Sequence, residues 1–186
     1  MRKLLTLPFT LTLLAGLAQA QTIDPPAMDH AAHMAAMANA QRQAEVSKRG
    51  KDVMPFKLAA TTHIFTKSSE GGVQRVVAKK STDTAQVKLV RKHLHEIREQ
   101  FLAGDFSGPS HIHGQDMPGL AELKASKPGQ ISIAYKDVKG GAELTYKTAD
   151  ARLVAALHEW FDAQLSDHGK DAMEGHAQHD GLMMKK

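Results

Sequence analysis

The chain has 186 residues, no cysteine, 11 histidines, 9 methionines and a formal net charge of +4. That size suits one modest domain with tails, and a charge this small and this evenly spread argues against a nucleic-acid partner. Without thiols, disulfide scaffolds and thiolate zinc sites are excluded, so any soft-metal chemistry falls to Met and His.

Residues 1–20, MRKLLTLPFTLTLLAGLAQA, join a basic start (Arg2, Lys3) to an apolar run and end in Ala18-Gln19-Ala20. Small residues placed this way before Gln21 predict a cleaved secretory signal peptide. Its loss would remove Arg2 and Lys3 and take the charge from +4 to +2. No later apolar run reaches the roughly 18 residues a membrane span requires. The expectation is a periplasmic or secreted protein with no stable membrane insertion.

Residues 21–52 are rich in Ala, Met and His. From His30 to Lys48 there are good helix formers and no breaker before Gly50, which predicts a helical, loosely held N-terminal arm. The folded domain is expected over 53–168. There FKLAATTHIFTK reads as a strand, SSEGG as a turn and VQRVVAKK as a second strand. Ser81-Thr82-Asp83 caps a helix to about Leu102, with Val87, Val90, Leu94, Ile97 and Phe101 as its buried stripe. Ala103-Gly104 ends it. SHIHGQDMPGL (110–120) follows as a connection, and Pro118 opens a short helical piece.

The same order then recurs. GQISIAYKDV alternates Ile131, Ile133 and Tyr135 on one face, Lys139-Gly140-Gly141 turns, and AELTYKT alternates Ala142, Leu144 and Tyr146. Thr148-Ala149-Asp150 opens a helix to about Ser166, striped by Leu153, Val154, Leu157, Phe161 and Leu165. Both helices carry Leu-Val early and Leu-His-Glu later, a loose internal repeat. The predicted fold is α+β: two ββα units forming a four-stranded antiparallel sheet with helices on one face, plus the helical arm. Residues 169–186 lack apolar periodicity and are expected to be a disordered His/Met-rich tail.

Coordinating groups gather in three places. In the arm, His30, His33, Met34 and Met37 fall at i, i+3, i+4 and i+7, one stripe of a helix. Toward the C-terminus come His168, Met173, His176, His179, Met183 and Met184. In the connection, Gly114 permits a turn that brings His113 to Met117, whereas His111 and His113 point to opposite sides if the piece is extended. Thioethers select Cu(I), and imidazole accepts copper or zinc. The sum predicts a metal-binding protein, with copper sequestration or delivery as its role and a periplasmic copper-handling protein as a partner. Arm and tail would do the capturing, so trimming both termini is expected to weaken Cu(I) binding. Equal affinity in the trimmed core would move the site to His113, Met117 and the core histidines. Against this stand plainer readings: a Met/Ala stripe is often packing surface, and His-rich tails bind metals adventitiously. The alternative is a domain that holds non-covalent haem or another small ligand.

Among the remaining histidines, His95 lies on the polar side of its helix and His93 flanks the apolar stripe. His158 falls on a buried face, where an imidazole needs a partner. His63, opposite Ile64 on the first strand, is expected on the open side of the sheet. No G-x-S-x-G, H-E-x-x-H, C-x-x-C-H or phosphate-cradling loop is present, so no enzyme is expected. A hydrolase or lyase built on His113, Asp116 and His158 would lack a nucleophile and an oxyanion device.

The stretches MPFKLAATTHIFTK, HIHGQDMPGL and LHEWFDAQLSDHG together resemble a family of small exported bacterial proteins, over most of residues 43–170. The resemblance implies export and a His/Met-rich C-terminus. Similar sequences often carry the label aspartate carbamoyltransferase, which the chemistry of this chain opposes. Such an enzyme needs two domains of about 150 residues each. It also needs an S-T-R-T loop for carbamoyl phosphate. The nearest stretch here is Ser81-Thr82-Asp83-Thr84, whose Asp83 would repel phosphate. MDHAAHMAAM in the arm resembles the Met/His segments of periplasmic copper-resistance proteins.

Overall fold

The computed structural model describes residues 30–176. The predicted signal peptide and the tail residues His179, Met183 and Met184 lie outside the described residues. Helix α1 spans His30–Val53 and is followed by a 3-10 turn, Leu58–Ala60. Strands β1 (Thr61–Ser68) and β2 (Gly71–Ala78) lead into α2 (Thr84–Leu102). Two short helices, α3 (Ser107–His113) and α4 (Leu120–Lys124), connect to β3 (Ser132–Val138) and β4 (Gly141–Lys147). Helix α5 (Ala151–His168) ends in a 3-10 turn, Gly169–Asp171, and strand β5 (Ala172–Glu174) closes the described chain.

The predicted α+β class holds and both hairpins form, but the first strand starts at Thr61 rather than Phe56, because Leu58–Ala60 is a 3-10 turn. The sheet is larger than predicted and mixed. Its order is β3-β4-β2-β1-β5, with β2 and β4 joining the hairpins antiparallel and β5 parallel to β1. The expected tail therefore contributes a fifth strand. Three residues are too few to show periodicity, so main-chain pairing rather than an apolar pattern holds β5 in place. Gly175 N donates to Phe65 O at 2.8 Å, and Lys79 Nζ lies 2.7 Å from Asp171 Oδ1 beside it.

Helices α2 and α5 cover one face of the sheet, α2 against β2, β3 and β4, and α5 against β1, β2 and β5. Under them lie Phe65, Val76, Leu144, Tyr146 and Ile133, while Ile64, Val73 and Arg75 face the other way. Both helices start as their sequences predict. Asp83 Oδ1 accepts from Gln86 N at 3.2 Å, and Asp150 Oδ1 accepts from Arg152 N at 2.9 Å. Asp83→Ala is expected to lower stability by about 1 kcal/mol in urea unfolding, the usual cost of an N-cap.

Two expectations about the connections are revised. The arm is held at its C-terminal half, where Val46 and Gly50 are buried and α1 packs on α3 and α5. SHIHG is not extended: it ends α3. Pro109 sits in the first turn, where its missing N–H is one the helix cannot bond anyway, and Gly114 at φ +95 stops the helix. Gly119 lets α4 approach α5, since at φ +72 a Cβ would stand 2.0 Å from Ala156 O.

Candidate imidazole site

Four histidines from four elements meet under the sheet. On β1, odd-numbered residues face the helices, so His63 shares the covered side with Phe65 and is 4 % exposed, contrary to the expected open side. His93 falls between Val90 and Leu94 on the buried stripe of α2. His113 is the last residue of α3, and His168 the last of α5. All four border a cavity of about 40 Å³ that Met54, Phe56, Trp160 and Gln164 also line. The rings of His63 and His168 have centroids 4.6 Å apart, and those of His113 and His168 5.1 Å apart, both edge to face. Phe56 packs on His63 and His93 at 5.9 and 5.4 Å and closes one side of the group.

Hydrogen bonds fix how two of these rings, His113 and His168, present their nitrogens. His113 Nδ1 donates to Asp167 Oδ2 at 2.8 Å, with both side chains 2 % exposed. Asp167 is gripped by Arg42 of α1, whose Nη2 donates to Oδ2 at 2.8 Å and to His113 O at 3.1 Å. A neutral His113 thus carries its lone pair on Nε2. His168 Nε2 donates to Gln164 Oε1 at 3.1 Å, which leaves the lone pair on Nδ1. His168 Nδ1 and His63 Nδ1 are both buried and have no hydrogen-bond partner.

The electrostatics keep His63, His93 and His168 uncharged. Burial, joined by the neighbouring imidazoles His168, His93 and His113, pushes His63 well below the usual histidine range. Burial likewise lowers His168 to about 3 and His93 to about 4. Burial opposes ionisation of Asp167, but hydrogen bonds from His113 and Arg42 overcome it and hold its carboxyl below the ordinary value. The result is a carboxylate locked between a guanidinium and one imidazole, beside three imidazoles held neutral.

The predicted ligands scatter across the described structure. His113 and His168 come together. His30, His33, Met34 and Met37 lie on the exposed part of α1. Met117 is buried in the hydrophobic core, Met173 is exposed on β5, and His176 is exposed after it. His111 faces outward, with Nε2 3.3 Å from Asp52 Oδ2. His95 is exposed, and His158 Nε2 lies 3.0 and 2.9 Å from the carbonyls of Ser68 and Gly71, a satisfied histidine. His158 and the exposed Asp116 therefore do not join His113 in the buried cluster. Among the described residues, no three or more His, Asp or Glu side chains form a group that could hold a metal ion.

Sequence reasoning set His63 on the wrong side of the sheet and passed over Asp167, Arg42 and Gln164. A usable signal existed for His63: Phe65, two residues on, sets the buried face of β1. No protein-family model, curated protein or solved structure matches this chain.

Proposed function

We propose that the protein is exported and binds copper, and that Cu(I) is held by the buried imidazoles of the folded domain. The observation that carries this reading is the pair of partnerless nitrogens, His63 Nδ1 and His168 Nδ1, on rings 4.6 Å apart. A buried ring nitrogen without a partner is costly, and an ion satisfies both when each presents its lone pair. Two imidazoles sharing an ion at about 2 Å per nitrogen place their ring centres about 5 Å apart when the ligands are bent and about 6 Å apart when they are linear. The 5.1 Å between His113 and His168 fits a bent pair, and the 4.6 Å between His63 and His168 would have to open slightly to admit the ion. Cu(I) is content with few ligands, so the lack of a gathered set of three His, Asp or Glu groups does not oppose it. The Met54 thioether on the same cavity suits Cu(I) better than zinc.

The surroundings support it as well. Lone pairs kept free of protons are the form that binds metal. Asp167 stands to His113 as the carboxylate partner stands to many metal-bound histidines, orienting the ring and fixing its tautomer. A space of about 40 Å³ suits an ion better than a haem. The exposed donors of α1, and Met173 and His176 beyond α5, would capture the ion and pass it inward or onward to a copper-handling partner.

Trp160 is the only tryptophan and borders the cavity, so it reports on the site. Adding Cu(I) to the mature protein is expected to quench its fluorescence. It should also raise stability by about 2.7 kcal/mol when free Cu(I) is 100 times Kd. Both effects should survive substitution of His30, His33, Met34 and Met37. Quenching that disappears with those four residues would place the ion on the arm instead.

A further inference from the structure

Trp160 borders a second, larger cavity of about 170 Å³ between the C-terminal end of α2, α4, β3 and α5. We infer that this cavity binds a small, uncharged, single-ring aromatic molecule that carries a hydrogen-bond acceptor, with Trp160 Nε1 as the donor to it.

Size and lining set the class of guest. An apolar protein cavity of about 150 Å³ is large enough to admit benzene. The floor here is Phe101, Phe106, Leu123, Ile133, Tyr146 and Trp160, all buried. Its rings already sit at angles to one another: Phe101 and Trp160 at 5.8 Å and 71°, Tyr146 and Trp160 at 5.9 Å and 80°. A flat aromatic guest can meet such edges and faces in the arrangements aromatic pairs favour. Among the lining residues only Lys127 is charged, and it is exposed at the rim, so an ionised guest would have no counter-charge on the floor.

The polar inventory then fixes the guest's substituent. Tyr146 Oη is committed, donating to Gln74 Oε1 at 2.7 Å. Trp160 is 1 % exposed, and its Nε1 has no hydrogen-bond partner. An indole N–H only donates, so what satisfies it is an acceptor such as a carbonyl oxygen. Entry is open: Leu102 is 37 % exposed at the rim, and a Cβ added at Gly104 or Gly129 would meet nothing within 4 Å.

Acetophenone and ethylbenzene are close in shape and differ in the acceptor. Calorimetric titration of the mature protein is expected to show saturable binding of one equivalent of each. Ala103→Phe, a change at an exposed rim residue, should weaken both at least tenfold while leaving the thermal unfolding temperature in place; Leu102→Trp serves the same end if Ala103→Phe folds poorly. Trp160→Phe should weaken acetophenone about fivefold and leave ethylbenzene within twofold, as loss of a single hydrogen bond requires. The inference is overturned by no saturable binding of either compound, by full affinity in the rim variants, or by the absence of a selective loss in Trp160→Phe. None of these outcomes depends on whether copper binds.

Discussion

Asp167→Ala is expected to destabilise the protein by about 3 kcal/mol, with the loss read from urea unfolding at pH 7. The carboxylate accepts from two partners that sequence separates widely, Arg42 on α1 and His113 at the end of α3. Removing it leaves the His113 N–H without an acceptor at a position 2 % exposed, which is the larger part of the cost. The guanidinium contributes less, because Arg42 is 45 % exposed and water can take the place of Asp167. Two further substitutions separate these parts. Arg42→Ala should cost only about 1 kcal/mol. Asp167→Asn, which can still accept from His113, should fall between the two. An Asp167→Ala cost no greater than that of Arg42→Ala would mean that the buried hydrogen bond to His113 contributes nothing.

Acid should unfold the protein through the histidine cluster before its carboxylates matter. His63, His93 and His168 are neutral in the folded protein far below the pH at which an unfolded histidine, near 6.5, takes up its proton. Below that pH the unfolded chain binds more protons than the folded one, so stability falls as pH falls. Their contribution is intact above pH 6.5 and is lost progressively toward about 4 for His93 and about 3 for His168. Each group adds a slope of up to about 1.4 kcal/mol per pH unit. Between pH 7 and pH 4 His93 and His168 together should cost about 6 kcal/mol, a large share of the stability of a domain this size, and His63 adds to it. Asp167, whose carboxyl is held below its ordinary value, adds to the loss only under more acid conditions. Urea midpoints measured at pH 7, 5.5 and 4 check the trend. His168→Leu should flatten it, and a midpoint independent of pH would show that the rings are not held neutral.

Much of the fold was legible because it is periodic. Alternation in SIAYKDV and GAELTYK placed β3 and β4, and the three-four stepping of Val90, Leu94 and Phe101 placed α2. Local chemistry placed both N-caps. Two elements escaped for physical reasons. Strand β5 is three residues of Ala, Met and Glu held by main-chain bonds to β1, which leave no mark on side-chain pattern. Helix α3 contains Gly108 and Pro109, residues that read as a loop, yet Pro109 falls in the first turn where helices tolerate it.

The site was legible only in fragments. His113 and His168 drew attention through composition, but as members of two separate groups, a turn with Met117 and a mobile tail. What joins them is tertiary: α5 runs on to His168, Gly169 ends it at φ +51, and the ring turns inward to His63 and His113. Arg42 and Asp167 lie 125 residues apart, and no local pattern could pair them. The methionines divide by burial. Met34 and Met37 do share a helical stripe, but it faces solvent, while Met117 serves the core.

The most direct test of the copper reading is a competition titration of the mature protein with a chromophoric Cu(I) chelator, alongside two variants. One replaces His63 and His168 with leucine, and the other replaces the α1 donors His30, His33, Met34 and Met37. The account predicts one tight equivalent of Cu(I) in the native chain and in the α1 variant. It predicts at least about a hundredfold loss of affinity in the His63→Leu, His168→Leu double variant, since both partnerless nitrogens are gone. Undiminished Cu(I) affinity in that double variant, with its fold retained, would contradict the account.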